Sequence, residues 1–191
     1  MGAPISDLFQ HLINGLTLGG IYALIALGYT MVYGILKFIN FAHGEVLMMG
    51  TYVGLFAFNA LRAEQTRGLW VMLAFFIGIL AAMAASGTLG FVVEKIAYKP
   101  LRRAKRLTLL LSAIGMSIVL MNTAAFIYGT RSKKYPYPFD NSPLEIGPVS
   151  VAPHQLLILA VVIVMMVALK LFIDRSRLGK AMRAWSLDQD V

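Results

Sequence analysis

The chain has 191 residues, 59% of them hydrophobic and 14% charged, with a mean hydropathy of +0.74. Soluble domains carry about 25% charged residues, so the composition excludes an ordinary soluble domain and predicts a multispan membrane protein. A net charge of +8 fits cytoplasmic loops that collect Lys and Arg; in so apolar a chain it does not indicate nucleic-acid binding. Cysteine is absent, which excludes a disulfide framework and thiolate chemistry. No cleavable signal peptide is expected, because residues 1–10 carry Asp7 and neither Lys nor Arg, and the apolar run that follows is longer than an h-region.

The hydropathy pattern predicts an all-α polytopic bundle of about five spans, read as one transmembrane domain over 1–191. The first span, 12–36, has no charge over 25 residues, enough for a hydrocarbon core of about 30 Å at about 1.5 Å per residue. Its Gly15-Leu-Thr-Leu-Gly19 pattern permits close helix approach, although glycine is common in membrane helices. The second span, 41–61, is apolar apart from His43 and Glu45 near its start, and Arg62, Glu64 and Arg67 form a short polar loop after it. In the third, 69–93, Gly78, Ala82, Ser86 and Gly90 recur every four residues. That small face is expected to pack tightly on another helix.

The segment 94–107 is the most basic loop, with Lys95, Lys99, Arg102, Arg103, Lys105 and Arg106 against Glu94 alone, and Pro100 is expected to interrupt any helix there. The positive-inside rule makes this loop cytoplasmic. A fourth span covers 108–128. The segment 129–153 holds five of the seven prolines, so an ordered loop or short extended pieces are expected in place of a helix, with Tyr135 and Tyr137 at the interface level. A fifth span, 154–173, carries Lys170 where it can snorkel to the headgroups. The polar tail 174–191 is cytoplasmic with the 94–107 loop, and 62–68 and 129–153 are outside. A full crossing of the second span puts the N-terminus outside; a broken or re-entrant helix near 37–61 puts it inside.

Chemistry concentrates at Lys37-Phe-Ile-Asn-Phe-Ala-His-Gly-Glu45, where Asn40, His43 and Glu45 fall close together in a chain with few polar groups. Such groups are costly in hydrocarbon and usually face a bundle interior or an aqueous path. One reading is structural: Asn40 caps the helix, Gly44 permits close packing and Glu45 is a first-turn acid favoured by the helix dipole. The other is functional, with a helix N-terminus facing a solute path and suited to a carboxylate solute. No metal-protease motif and no phosphate-binding G-x-x-x-x-G-K-[ST] occurs, so this chain is not itself an ATPase and no cofactor is expected in it.

Three stretches carry a family resemblance. Gly15-Leu-Thr-Leu-Gly-Gly-Ile-Tyr-Ala-Leu-Ile-Ala-Leu-Gly28 followed by Tyr-Gly-Ile-Leu-Lys-Phe-Ile-Asn-Phe-Ala-His-Gly-Glu45, then Glu94-Lys-Ile-Ala-Tyr-Lys-Pro-Leu-Arg-Arg103, and then Arg177-Leu-Gly-Lys-Ala-Met-Arg-Ala184 stand in order along nearly the whole chain. Together they resemble LivH-type permeases, the membrane subunits of bacterial ATP-driven importers for branched-chain amino acids. The Asn-Phe-Ala-His-Gly-Glu string is the most specific part.

The resemblance implies several partners: a second permease subunit, two cytoplasmic ATPase subunits that bind the ATP, a periplasmic solute-binding protein and an amino-acid substrate. It implies an inner-membrane location. Asn40, His43 and Glu45 become candidates for the translocation path. Gly179, Lys180 and Arg183 become candidates for coupling to the ATPase. Family members are longer and continue with further spans, so a chain of this length is not expected to form a complete half-channel alone. The nearest alternatives are a urea or short-amide permease, whose subunits share a similar string, and a structural or assembly subunit with no path of its own.

Overall fold

The computed structural model describes residues 3–61, 68–135, 142–146 and 149–187. In chain order it contains α1 (Ala3–Leu36), α2 (His43–Ala60), α3 (Leu69–Val93), α4 (Arg106–Tyr128), the strands β1 (Leu144–Ile146) and β2 (Val149–Val151), α5 (Pro153–Arg175) and α6 (Arg177–Leu187). The polytopic helical class holds. The proline-rich segment forms a short antiparallel hairpin, Leu144 opposite Val151 and Ile146 opposite Val149, as its composition predicts; Tyr137 lies outside the described residues. Two compact units can be separated, Phe38–Pro138 and a second made of Met1–Lys37 with Phe139–Val191.

In the unit Phe38–Pro138, α2 and α3 pack antiparallel along the whole of α2. The small face of α3 is what admits the approach. A Cβ on Gly54 would lie 2.8 Å from the Gly78 carbonyl oxygen and 3.0 Å from Ala82 Cβ, and a Cβ on Gly50 would collide with the Ser86 hydroxyl. Ser86 Oγ donates to the Val46 carbonyl at 3.3 Å. Toward the far end of the pair Phe58 is buried with Val71 and Ala74, and Trp70 Nε1 donates to the Leu61 carbonyl at 3.3 Å. Contacts thus run from Val46 against Ser86 to Leu61 against Trp70. Backbones in lipid associate through such small residues, because tail and side chain are equally apolar.

Past Val93 the helix changes pitch and ends at Leu101, one residue after Pro100, as the proline predicts. It passes through a π turn, Glu94–Tyr98, and a 3₁₀ turn, Lys99–Leu101, with the proline in the first positions of the latter. Proline is tolerated in a first helical turn, where its missing N–H has no partner to lose. The wider π turn leaves the Ala97 carbonyl to accept a bond from Ser112 Oγ of α4 at 3.1 Å. Tyr135 lies in the segment that follows α4. Its ring packs against Phe58 and Phe75, at centroid distances of 6.0 and 6.2 Å, and its hydroxyl reaches Gly78. That burial pushes the phenol pKa up.

In the other unit α1 and α5 run parallel. Asn14 Oδ1 accepts from Gln155 Nε2 at 2.7 Å, Gln10 Oε1 accepts from the Ser150 N–H at 3.1 Å, and further along Gly20 meets Val162. Both sequences therefore advance in the same direction. Gln155 Oε1 also accepts from the Ala152 N–H at 3.1 Å, satisfying a donor at the start of α5. Gly15 and Gly19 have nothing within 4 Å, so the close approach in α1 falls on Gly20 and not on the Gly-x-x-x-Gly pair. α1 ends at Lys37, whose φ of +55° reverses the chain while its N–H closes the last turn on Tyr33.

Among the described residues, four helical stretches are long and apolar enough to cross a membrane: Asp7–Gly34, Leu69–Leu101, Arg106–Tyr128 and Pro153–Arg175. α2, the second span of the sequence analysis, is not one of them. It has 18 residues and carries His43, Glu45, Thr51 and Asn59. It nevertheless packs along α3 over its whole length. Large apolar side chains such as Phe56, Leu69 and Phe126 point outward, as in helices solvated by lipid tails.

Gly50→Val is expected to destabilise the helix pair by about 1–3 kcal/mol through overpacking, read as a lowered Tm of the purified protein in detergent. Gly15→Val, in open space, should leave Tm unchanged.

Candidate functional site

The start of α2 is built around one side-chain oxygen. Asn40 Oδ1 accepts from the Ala42 N–H at 3.1 Å and from the Tyr98 hydroxyl at 2.6 Å, and the Asn40 carbonyl accepts from the His43 N–H at 3.1 Å. Asn40 is therefore not the cap residue itself. Ala42 occupies that position and makes no side-chain cap bond, so Asn40 forms a turn two residues upstream and hands the chain into the helix. The reason is Tyr98. Buried beneath the turn, it needs an acceptor for its hydroxyl, and Phe38 packs edge-on against its ring at 5.1 Å.

Tyr98 belongs to the π turn at the end of α3, and it was not legible as a partner of Asn40 because 58 residues separate them. The bond fixes the start of α2 beside the basic segment that follows α3. His43 is half-buried on the first turn of α2. Glu45 is half-buried two residues on, in the same first turn, and its Oε2 is buried with no hydrogen-bond partner among the described residues. Asn40, His43 and Glu45 thus come together at one end of α2, but Asn40 has its side-chain oxygen committed to structure. Among the described residues no group of three His, Asp or Glu side chains could hold a metal ion.

The second set of candidates lies on α6. Ser176 separates α5 from α6, and its Oγ accepts from the Gly179 N–H at 2.8 Å, a serine cap that sequence inspection had not singled out. Gly179 is buried against the end of α5: a Cβ there would fall 2.6 Å from the Phe172 carbonyl oxygen and collide with that of Ile173. Its absence of side chain is thus needed for the tight α5–α6 corner. Lys180 is exposed. Arg183 reaches back to the end of α5, with Nη1 on the Asp174 carboxylate and Nη2 on the Asp174 carbonyl, both at 3.2 Å. An exposed pair of this kind contributes about 0–1 kcal/mol, but it also places a cation at the negative end of α5.

With two helix pairs, a polar corner at the start of α2 and a basic terminal helix in view, residues 11–191 match the family described as branched-chain amino acid transport system / permease component. The chain belongs to this family. The high-affinity branched-chain amino acid transport system permease protein LivH of Salmonella typhimurium is 42% identical over 183 residues, which cover 94% of this chain and 59% of that protein. LivH of Escherichia coli strain K12 is 42% identical over 184 residues. BraD of Pseudomonas aeruginosa, a permease protein of the same description, is 43% identical over 189 residues. The chain spans about 59% of the length of these relatives. No solved structure matches it. Family membership and the four long apolar helices make it a multi-pass membrane protein of the transport-permease class.

Asn40→Ala is expected to lower stability by about 1–3 kcal/mol, because it leaves the buried Tyr98 hydroxyl unpaired. Adding Tyr98→Phe should restore part of that loss, since removing both partners is milder than removing one. Thermal melts of the single and double variants in detergent check both outcomes.

Proposed function

We propose that this chain is a permease subunit of an ATP-driven importer that carries branched-chain amino acids across the bacterial inner membrane. Its partners in that assembly are a second permease subunit, two cytoplasmic ATPase subunits that bind the ATP, and a periplasmic solute-binding protein. The observation that carries the proposal is the family match over residues 11–191, supported by identity of 42–43% to permeases named for this transport. Labelled leucine and labelled urea, offered to cells expressing the chain with its partner subunits, test it. Leucine uptake is expected; uptake of urea without leucine would exclude it.

Orientation belongs to the same proposal. Lys99, Arg102, Arg103, Lys105 and Arg106 cluster after α3, and Arg175, Arg177, Lys180 and Arg183 at and beyond the end of α5, so both ends face the cytoplasm by the positive-inside rule. α1 runs parallel to α5, which puts the N-terminus outside. The start of α2 lies beside Tyr98 at the basic end of α3, so α2 begins in the cytoplasm and crosses outward. The absence of native cysteine makes a labelling test direct: Asp7→Cys should react with an impermeant maleimide on intact spheroplasts, and Arg103→Cys only after permeabilisation.

Asn40, His43 and Glu45 then stand at the cytoplasmic end of α2, where His43 and Glu45 would line the exit of the path. Gly179, Lys180 and Arg183 would form part of the surface that meets an ATPase. Arg183→Glu is expected to abolish solute-stimulated ATP hydrolysis in the assembled importer, whereas Asp174→Asn, which removes only an exposed ion pair, should preserve it.

A further inference from the structure

One face of α2 has no part in the contact with α3. Gly44, Leu47, Met48, Thr51, Tyr52 and Leu55 recur at helical spacing and form a continuous stripe. This stripe makes one wall of a cleft of about 370 Å³, and Ser132, Lys133 and Tyr135, from the chain just after α4, make the other. The volume lies near the lower end of the roughly 300–1,000 Å³ range of small-molecule sites.

The chemistry of the lining is asymmetric. Leu47, Met48 and Leu55 are aliphatic, whereas the opposite wall brings a cation. Lys133 is held there by stacked rings: its Nζ sits 5.7 Å from the centre of the Tyr128 ring, and Tyr128 stacks on Tyr52 at 4.3 Å with the planes 4° apart. A cation over an aromatic face is attracted by the ring quadrupole, so the stack fixes where the ammonium stands. Among the described residues no carboxylate pairs with Lys133. Thr51 Oγ1 donates its proton to the Leu47 carbonyl at 2.9 Å, leaving its oxygen lone pairs to accept from a ligand.

We infer that this cleft is a subsite for an apolar amino acid, with Lys133 binding the carboxylate, Thr51 accepting from the ammonium group and Leu47, Met48 and Leu55 receiving the side chain. The inference deepens the importer function proposed above and rests on it for the identity of the solute and the direction of entry. Lys133 stands on the segment after α4, outside in the proposed orientation, so its ammonium faces a solute arriving from that side.

The test uses the assembled importer in membranes. Because the chain contains no cysteine, Ser132→Cys, with Leu47→Cys as a second reporter, gives a single thiol at the cleft whose alkylation by N-ethylmaleimide measures occupancy independently of transport. Leucine should slow alkylation saturably; leucinamide, which lacks the carboxylate, should not; 4-methylpentanoate, which lacks the ammonium, should do so more weakly. Adding Lys133→Gln should raise the leucine concentration needed by about 10–100-fold, the scale of a lost charge-assisted bond, and Lys133→Arg should keep protection.

The subsite is overturned if leucine fails to protect in membranes that take up leucine, if leucinamide protects equally, or if Lys133→Gln changes nothing. Protection by oleate alone would assign the cleft to lipid and also overturn it. Lys133-dependent protection by 4-methylpentanoate without any leucine uptake would retain a site for apolar carboxylates while excluding the importer function. Neither uptake nor protection would remove both.

Discussion

The contact between Gly50 and Gly54 of α2 and the Gly78–Ala82–Ser86 face of α3 is the constraint on which the unit Phe38–Pro138 depends. In lipid there is no hydrophobic gain in pressing two apolar helices together, so association rests on close dispersion contact and a few hydrogen bonds. Here the backbones come so near that a single Cβ on Gly54 would lie within 2.8 Å of a carbonyl oxygen. That proximity also lets Ser86 reach the Val46 carbonyl. Everything else at this end of the chain, the Phe58 cluster and the docking of Tyr135 over Gly78, presupposes that distance.

Because the glycine face of α2 is consumed by α3, its remaining polar groups are distributed to two other uses. At one end Asn40 and Tyr98 lock the helix start to the π turn that follows α3, and Glu45 is left with a buried, unpaired oxygen. Along the next face Thr51 and Tyr52 meet the chain after α4. The π turn is part of the same arrangement: by widening the helix it turns Tyr98 toward Asn40 and frees the Ala97 carbonyl for Ser112. Insertions of this kind are common at functional sites because they redirect side chains without ending the helix.

Much of the architecture was legible in the chain. Stretches without charge marked α1, α3 and α4, an apolar run with Lys170 near its end marked α5, and the proline density of 129–153 marked a non-helical segment. The four-residue spacing of Gly78, Ala82, Ser86 and Gly90 marked the packing face of α3. Other features were less well placed. Gly15 and Gly19 match a packing motif yet touch nothing within 4 Å, while the adjacent Gly20 carries the contact with Val162. A motif states that close approach is permitted, and only the rotation of the helix about its axis decides which glycine meets a neighbour. Pro100 marked the end of the third helix, which closes at Leu101 after a change of pitch.

Composition and residue order alone determined the membrane class and the all-α fold, because these follow from transfer energies that each residue contributes nearly independently of its neighbours. They also carried the family assignment. Pairings far apart in the chain were decided only by the tertiary structure: Asn40 with Tyr98, Asn14 with Gln155, Tyr52 with Tyr128 and then Lys133. The same holds for the packing of α2, whose 18 residues include His43, Glu45, Thr51 and Asn59 and lie along α3 over their whole length. A helix that buries its glycine face against protein does not have to be apolar all round, and that burial is a property of the partner it finds.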